Sequence, residues 1–568
     1  MDPEDEIEGF RVVVESLKNL GVKYIFGVVG IPVVEIGVAA QQIGIQYVGM
    51  RNEQAACYAA QAIGYLTGWP AACLAVSGPG VLHCIAGLAN AKENCWPMIL
   101  IGGSSETRQE GVGAFQEWPQ IESVRVSTKY CGRPAQVDLI PRQLERAVRT
   151  SVYGRPGPCY IDLPGDMLNM RVKYKDVYFN PLPPPPPKML PEDRNMMEAI
   201  ELLKSAKRPL IIIGKGAAYG RAEMELRALT RELNIPVLPT PMGKGVIPDD
   251  SDLVISAARS KVLEEADVVL LVGARLNWML HFGTPPRWSS TVKVIQMDIC
   301  AEEMHNSIHS SVALQGDIQV TTARLNILKG NFKFSNSSPW WIELRKKCRE
   351  NGASTHELCM DETVPLNYYA AFNQFSQTIP DSTYIVSEGA NTMDIGRTML
   401  KNNLPRHRLD AGTFGTMGVG LGFAIATALY ARDNDPGARV LCVEGDSAFG
   451  FSGMEIETIA RYNLPIVIVI INNSGIYSGF DKELYSELVS DENICIASPP
   501  TSLLPGVQYE KMMDMVGMTG VTCSKPQEIK TAVKNALAVN RATIINIMIN
   551  PMAGRKAQQH EWLTKSKL

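Results

Sequence analysis

Asp446 and the pair Asn472-Asn473 are the residues here whose types and spacing best suit chemistry. They lie in VLCVEGDSAFGFSGMEIETIARYNLPIVIVIINNSGIY, residues 440–477. Val440–Val443 reads as a short buried strand, and Gly445-Asp446-Ser447 as a sharp turn behind it. Ser452-Gly-Met-Glu455 has capping-box spacing, which predicts a helix from there to about Tyr462. Pro465 stops that helix, and Ile466–Ile471 is a continuous β-branched run of the kind found in strands covered on both faces. The carboxylate and the amides would then stand at the C-terminal ends of two parallel strands, where open α/β sheets bind ligands. One carboxylate and one amide oxygen, with backbone carbonyls nearby, suit a hard, oxygen-seeking cation. The turn and the helix start offer N–H groups to phosphate. A metal-bound diphosphate is the guest this arrangement fits.

These strands need a scaffold, and 568 residues are too many for one core. The chain reads as three α/β blocks. In the first, 1–180, Phe10, Val13, Val14, Leu17 and Leu20 keep helical spacing and Gly21 is placed to end the helix. Strand Tyr24–Val29, a helix from about Glu53, strand Ala72–Val76, the turn Ser77-Gly-Pro-Gly80 and strand Met98–Ile101 follow. Such alternation predicts a parallel sheet. Pro183–Pro187 is a stiff spacer.

The second block, 190–355, has strands at Pro209–Ile213, Val268–Val272 and Val294–Met297. Its Gly214-Lys-Gly216 lacks the third glycine of a dinucleotide fingerprint, so a tight structural turn suits it at least as well as a nucleotide site. Asn331 to Glu362 is polar and turn-rich and reads as a second linker. The third block, 363–550, holds strand Tyr384–Val386, the turn Ser387–Asn391, a glycine-spaced run Gly415–Gly422 entering a helix, and the motif above. Residues 551–568 form a polar tail. The expected fold class is α/β, with three doubly wound parallel-sheet domains.

Composition removes whole classes of function. A formal net charge of −4 gives no basic field for nucleic acid. No apolar stretch is long enough to span a bilayer. The acidic start MDPEDEIEGF lacks a basic-then-apolar leader, so neither secretion nor a transit peptide is expected. The 12 cysteines are scattered without a C-x-x-C pair and read as mostly buried free thiols in a reducing compartment. Ser566-Lys567-Leu568 at the end is a peroxisomal import signal, read by an import receptor.

Glu53 in NEQAA, Ser77-Gly-Pro-Gly80, Ala114-Phe-Gln-Glu117, Gly415-Thr-Met-Gly418 and GDS…NN occur in the order of the acetohydroxyacid synthase-like thiamine diphosphate enzymes, which the chain resembles. Within that family it resembles the 2-hydroxyacyl-CoA lyases most, and oxalyl-CoA decarboxylase after them. The phrases GVVGIP, RNEQAACYAA, FQEWPQ, GARLNW, SEGANTMDIGR and GTFGTMGVGLG carry that likeness. One departure is Ser447, where the family motif has glycine.

The resemblance implies pyrimidine-binding, middle Rossmann-like and diphosphate-binding domains, with thiamine diphosphate and Mg2+ as cofactors. Asp446, Asn473 and the carbonyl of Gly475 would hold the metal. Asn391, Gly445, Ser447, Ala448, Ile476 and Tyr477 would surround the diphosphate end, while Gly415, Thr416 and Met417 face the pyrimidine, Met417 as an apolar wedge or, alternatively, a helix-core methionine. Glu53 would share a proton with the pyrimidine ring nitrogen, a task that needs a poorly solvated carboxyl with a raised pKa. It would act from a neighbouring subunit, in a homo-oligomer built of dimeric catalytic pairs and expected to be a tetramer.

Gln116 would contact substrate, with a buried structural amide as the alternative; His83 and His407 read as structural. The implied reaction cleaves a long or branched 2-hydroxyacyl-CoA, as in fatty acid alpha-oxidation, to formyl-CoA and an aldehyde one carbon shorter, the cofactor acting as electron sink. Phe115 and Trp118 favour an apolar acyl chain, with ordinary core packing as the alternative. Arg259, Lys261 and Arg275, with Arg555 and Lys556 of the tail, are candidates for the CoA handle, and the stretch after Asn550 for a cover that orders on it. Oxalyl-CoA decarboxylation, a flavin-dependent synthase and a non-catalytic assembly role are the alternatives.

Overall fold

The computed structural model describes residues 4–490 and 493–556, so the terminal Ser566-Lys567-Leu568 lies outside the described residues. Three parallel sheets, set among helices, give the expected α/β architecture. The first has six strands in the spatial order Gln46–Gly49, Tyr24–Val28, Ala72–Ala75, Met98–Ser104, Pro158–Pro164 and Tyr130–Gly132. The second has five: Val237–Pro239, Pro209–Ile213, Val268–Val272, Lys293–Asp298 and Val312–Gln315. The third has six: Arg408–Asp410, Tyr384–Ser387, Val440–Gly445, Ile466–Asn472, Thr543–Met548 and Val521–Cys523. In each, the earliest core strand is flanked on one side by the next strand of the chain and on the other by a later one, so the winding reverses beside it. That reversal point is where such sheets take ligands. In the third sheet it falls between Tyr384–Ser387 and Val440–Gly445, the strands that lead into Asn391 and Asp446.

Packing divides the described residues into two compact units. One holds the chain to Pro186 together with Thr413–Gly437 and Phe449–Ile466. The other holds Pro187–Gly412, Ala438–Ala448 and the residues from Val467 onward. The first unit's sheet core gathers Val13, Val14, Leu17, Ile25, Leu74, Ile99 and Ile161. In the second, Ile211, Leu270 and Ile295 build one core and Ile385, Leu441, Val469 and Ile545 another. Among the described residues no helix is long and apolar enough to cross a membrane.

Two expectations fail. Asn331–Glu362 is not a linker: Pro339–Met360 is a continuous 22-residue helix. Ser338 caps it by accepting from the Trp341 N–H, and Pro339 sits in the first turn, where its missing N–H costs nothing. Trp340, Trp341 and Leu344 are buried on the middle sheet and Cys359 joins the third core, so a polar rod is anchored at both ends. The capping box at Ser452 fails as well. The helix is Glu455–Arg461, without a side-chain cap. The Glu455 carboxylate is instead drawn to the backbone N–H groups of Arg51 and Asn52, 3.0 Å from each, and to the Thr458 hydroxyl at 2.7 Å.

Candidate functional site

In the second unit the polar strand ends converge as the sequence requires. Asp446 follows its strand directly, is 2% exposed, and accepts from the Ser447 N–H at 2.9 Å and the Gly475 N–H at 3.2 Å. Burial pushes its pKa up to about 6, with those N–H groups opposing. A desolvated carboxylate without a cationic side chain among the causes of its shift is a strong receptor for a metal cation. The two asparagines divide the work. Asn472 is structural: its amide nitrogen donates to Asn546 Oδ1 at 3.1 Å and Val507 O at 3.2 Å, and its oxygen takes the Ser474 N–H at 3.0 Å. Asn473 donates to the carbonyl of Tyr477 at 3.1 Å, which points its oxygen end away from that bond. Asn391 donates to the same Tyr477 carbonyl, also at 3.1 Å.

The loop from Asn473 to Gly479 is tightly wound. Ser474 and Tyr477 both take left-handed backbone angles, φ 57° and 74°. A Cβ on Gly475 would come within 2.3 Å of Ser478 O, and one on Gly479 within 2.2 Å of Asn473 O. Strained backbone of this kind is kept where a site needs carbonyls in fixed places. Ile476 and Tyr477 stand half-exposed on this loop, which the Gly475–Asp446 bond ties to the turn carrying Gly445, Ser447 and Ala448. The donor set fits a hard cation carrying phosphate.

The first unit assembles the other predicted residues. The Glu53–Thr67 helix starts at Glu53, capped by Asn52, whose side chain accepts from the Gln54 N–H at 2.7 Å. Ala55, Ala56, Ala59 and Ala60 are small enough for the Gly420–Asn434 helix to approach; a Cβ on Gly422 would lie 2.8 Å from Ala55 O. The Glu53 side chain is 14% exposed, and its Oε2 lies 3.1 Å from Nδ1 of His83, which is 60% exposed. Behind it the buried thiols of Cys57, Cys73 and Cys84 gather within 4.8 Å of one another. Gly415 is left-handed with open space at its α-carbon, and Thr416 donates to Asn90 Oδ1 at 2.8 Å. Met417 is 36% exposed, so it is no core methionine.

Gln116 is likewise no buried amide. It is half-buried in left-handed backbone, φ 55°, with its Oε1 accepting from Ser77 Oγ at 3.2 Å. The structural amide is Gln120, buried among Tyr160, Asp162 and the Gly78 N–H. Glu117 folds the loop between by accepting from the N–H groups of Gly111, Gly113 and Ala114, which lowers its pKa. Phe115, 72% exposed, and Trp118 stand out from that loop instead of packing in a core.

Sequence reasoning missed the hold of Glu455 on Arg51 and Asn52, His83 as a partner of Glu53, and, though it named Arg259, the cluster that His281, Arg287 and Arg397 form around it in the second unit. There Arg259 contacts His281 Nε2 at 3.2 Å and donates to Met279 O. Burial, with Arg287 and Arg397 nearby, brings Arg259 down to about 10. The same forces lower His281 to about 4, burial first and then Arg259 and Arg287. His281 and Phe282 are both left-handed, φ 52° and 58°. Lys261 is committed to Glu265 and Glu343, and Arg555 to Asp394 at 2.7 Å. His407 stacks on Tyr384, as a structural histidine does. A Cβ on Gly214 would meet Gly273 O at 2.2 Å, and one on Gly216 at 2.8 Å, so that pair serves a close-packed turn.

Comparison with known proteins accords with this geometry. Profiles of the thiamine pyrophosphate enzymes match in three places: the N-terminal TPP binding domain over 7–123, the central domain over 196–325 and the C-terminal TPP binding domain over 388–547. The chain is 52% identical to 2-hydroxyacyl-CoA lyase 1 of Mus musculus over 568 residues, all of this chain and 98% of the relative. It is 51% identical to 2-hydroxyacyl-CoA lyase 1 of Homo sapiens over the same span. Oxalyl-CoA decarboxylase of Escherichia coli K12 is 40% identical over 557 residues, 97% of this chain and 96% of that one. The chain belongs to the thiamine pyrophosphate enzyme family, on the branch of the 2-hydroxyacyl-CoA lyases.

Proposed function

We propose that the protein is a thiamine diphosphate-dependent carbon–carbon lyase that splits 2-hydroxyacyl-CoA thioesters into formyl-CoA and an aldehyde one carbon shorter. The observation that carries this reading is full-length identity of 51–52% to relatives named 2-hydroxyacyl-CoA lyase, against 40% to oxalyl-CoA decarboxylase. Bound thiamine diphosphate supplies the electron sink. The chain's residues do the rest. Asp446, Asn473 and the Gly475 carbonyl hold Mg2+, and Asn391, Ser447 and the N–H groups of the turn hold the diphosphate. Met417 braces the cofactor, Glu53 exchanges a proton with it, and Gln116 meets the reacting end of the substrate. In this reading residues 1–180, 190–355 and 363–550 are the pyrimidine-binding, middle and diphosphate-binding domains.

The Arg259–Arg287 cluster supports an acyl-CoA substrate. Desolvated guanidinium groups favour phosphate oxygens over water, and phosphate would relieve their mutual repulsion. Phe115 and Trp118 supply apolar surface beside Gln116 for a long or branched acyl chain. The test sets 2-hydroxyoctadecanoyl-CoA against oxalyl-CoA. The expected result is formyl-CoA with the shortened aldehyde from the first and little carbon dioxide from the second; the reverse preference overturns the reading. In the same assay Arg259→Gln should raise KM for acyl-CoA about tenfold or more, with cofactor content unchanged.

Ser566-Lys567-Leu568 supports delivery to peroxisomes, in keeping with alpha-oxidation of fatty acids. A fluorescently labelled chain lacking those residues should stay cytosolic yet active when produced in cells without an intact copy. Peroxisomal entry of that truncate would refute the signal.

A further inference from the structure

Every function assigned to Glu53 concerns one carboxyl oxygen, yet the structure gives the other a partner. Oε2 lies 3.1 Å from His83 Nδ1, while His83 is 60% exposed and Glu53 only 14%. The two residues come from different helices. Glu53 opens Glu53–Thr67, and His83 lies in the second turn of Pro79–Asn94, placed by the Ser77-Gly78 turn. That turn is itself fixed: Gly78 has φ 54°, a Cβ there would come 2.4 Å from Gln116 O, and its N–H is held by Gln120. A largely exposed histidine delivered this rigidly to a shielded carboxyl has the layout of a proton conduit.

We propose that His83 positions Glu53 and relays protons between its carboxyl and solvent. The inference rests on the reading of Glu53 as the acid that serves the cofactor. The step balances without separating buried charge. A proton enters at His83 Nε2 from water, and the one on Nδ1 passes to Glu53 Oε2. The proton on Glu53 Oε1 would be given up to the pyrimidine nitrogen that Glu53 is read to serve. Glu53 remains a carboxylic acid and His83 a neutral imidazole, in its other tautomer, and one proton has moved from water to the cofactor side. The reverse sequence returns it. Among the described residues, His83 is the side chain hydrogen-bonded to that carboxyl.

Other titratable groups surround the pair and must be kept apart from it. On the Glu53 helix and behind it are Cys57, Cys73 and Cys84, the last with its Sγ 4.0 Å from the Glu53 carbonyl. Glu455 faces the N–H groups of Arg51 and Asn52, and burial raises its pKa. None of these reaches the Glu53 carboxyl within hydrogen-bonding distance among the bonds the described residues make.

The experiment compares the full-length parent with His83→Gln and His83→Ala, each loaded with thiamine diphosphate and Mg2+. Calorimetry in buffers of different ionisation enthalpy reads both cofactor affinity and the protons exchanged on binding. Hydrogen–deuterium exchange at the thiazolium carbon, followed across pH, reads the relay itself. Cofactor affinity should change less than about threefold, because His83 is not assigned to diphosphate or metal. Exchange should slow by about a hundredfold in both variants, the scale of a lost general acid–base group. The number of protons linked to binding should change, and the pH profile should lose the limb that an imidazole contributes. Added imidazole should restore exchange in His83→Ala and not in His83→Gln, where the site stays filled. Glu455→Gln is the control: it should keep the pH limb. Unchanged exchange and proton linkage in both His83 variants, with Glu53→Gln slow, would overturn the relay and leave Glu53's role standing. Parent-like exchange in Glu53→Gln would instead remove the reading on which it rests.

Discussion

Glu53→Gln is expected to keep thiamine diphosphate and Mg2+ bound while slowing thiazolium hydrogen–deuterium exchange by about three orders of magnitude. The amide is nearly isosteric with the carboxyl, and nothing that fixes the backbone is touched. Asn52 still caps the helix, and Glu455 still holds the Arg51 and Asn52 N–H groups. The loss in stability should be within about 1 kcal/mol, as for substitutions that neither open a cavity nor strand a charge. What the amide lacks is a proton it can give and recover. Turnover of 2-hydroxyacyl-CoA should fall in step with exchange, so that kcat drops while KM for the thioester stays near the parent value. A variant that exchanged at the parent rate, or one that lost cofactor altogether, would place Glu53 in a structural role.

Much of this site was legible because its residues announce themselves locally. A strand that ends in Gly445-Asp446, a β-branched run that ends in two asparagines, and an acid at the head of an alanine-rich helix are short-range patterns, and each sits where its pattern placed it. The long polar helix Pro339–Met360 was hidden for the opposite reason. Few of its residues are buried, so periodicity was faint; the usable signal was Ser338-Pro339-Trp340-Trp341, a cap, a first-turn proline and two anchors. Ser452 to Glu455 shows a local pattern overridden by tertiary demand, since two backbone donors 403 and 404 residues away claim the glutamate. The His83–Glu53 contact and the Arg259–His281 pair depend on how separate helices and loops meet, which no local spacing encodes. Gln116 and Gln120 look alike in sequence, and only their surroundings assign one to the open side and the other to the core.

Asp446→Asn should abolish activity and, at the same time, stabilise the cofactor-free protein. Burial raises the Asp446 pKa from 3.8 to about 6, so the folded state binds more protons than the unfolded state between those values. Folding stability of the metal-free parent therefore falls as pH rises through that window, and the cost persists at every higher pH. Two pKa units correspond to about 3 kcal/mol, of which the variant should recover about 1–2 kcal/mol, since its single amide oxygen keeps only part of the bonding from the Ser447 and Gly475 N–H groups. Denaturant melts of the metal-free proteins at pH 7.5 should show the variant ahead, with the gap closing as pH falls below 6. Adding Mg2+ and thiamine diphosphate should reverse the order, because only the parent carboxylate repays its desolvation by binding the cation. In the parent that stabilisation should shrink below pH 6, where protons compete for Asp446. A variant that is less stable than the parent in the metal-free state would contradict the desolvation argument; one that keeps full cofactor stabilisation would remove Asp446 from the metal site. The two inactive variants also test whether sites are shared between chains. If Glu53 of one copy serves Asp446 of another, co-expressing Glu53→Gln with Asp446→Asn chains should restore about a quarter of parental activity, since each mixed pair rebuilds one intact site. No recovery in verified mixed oligomers would mean that each chain completes its own site.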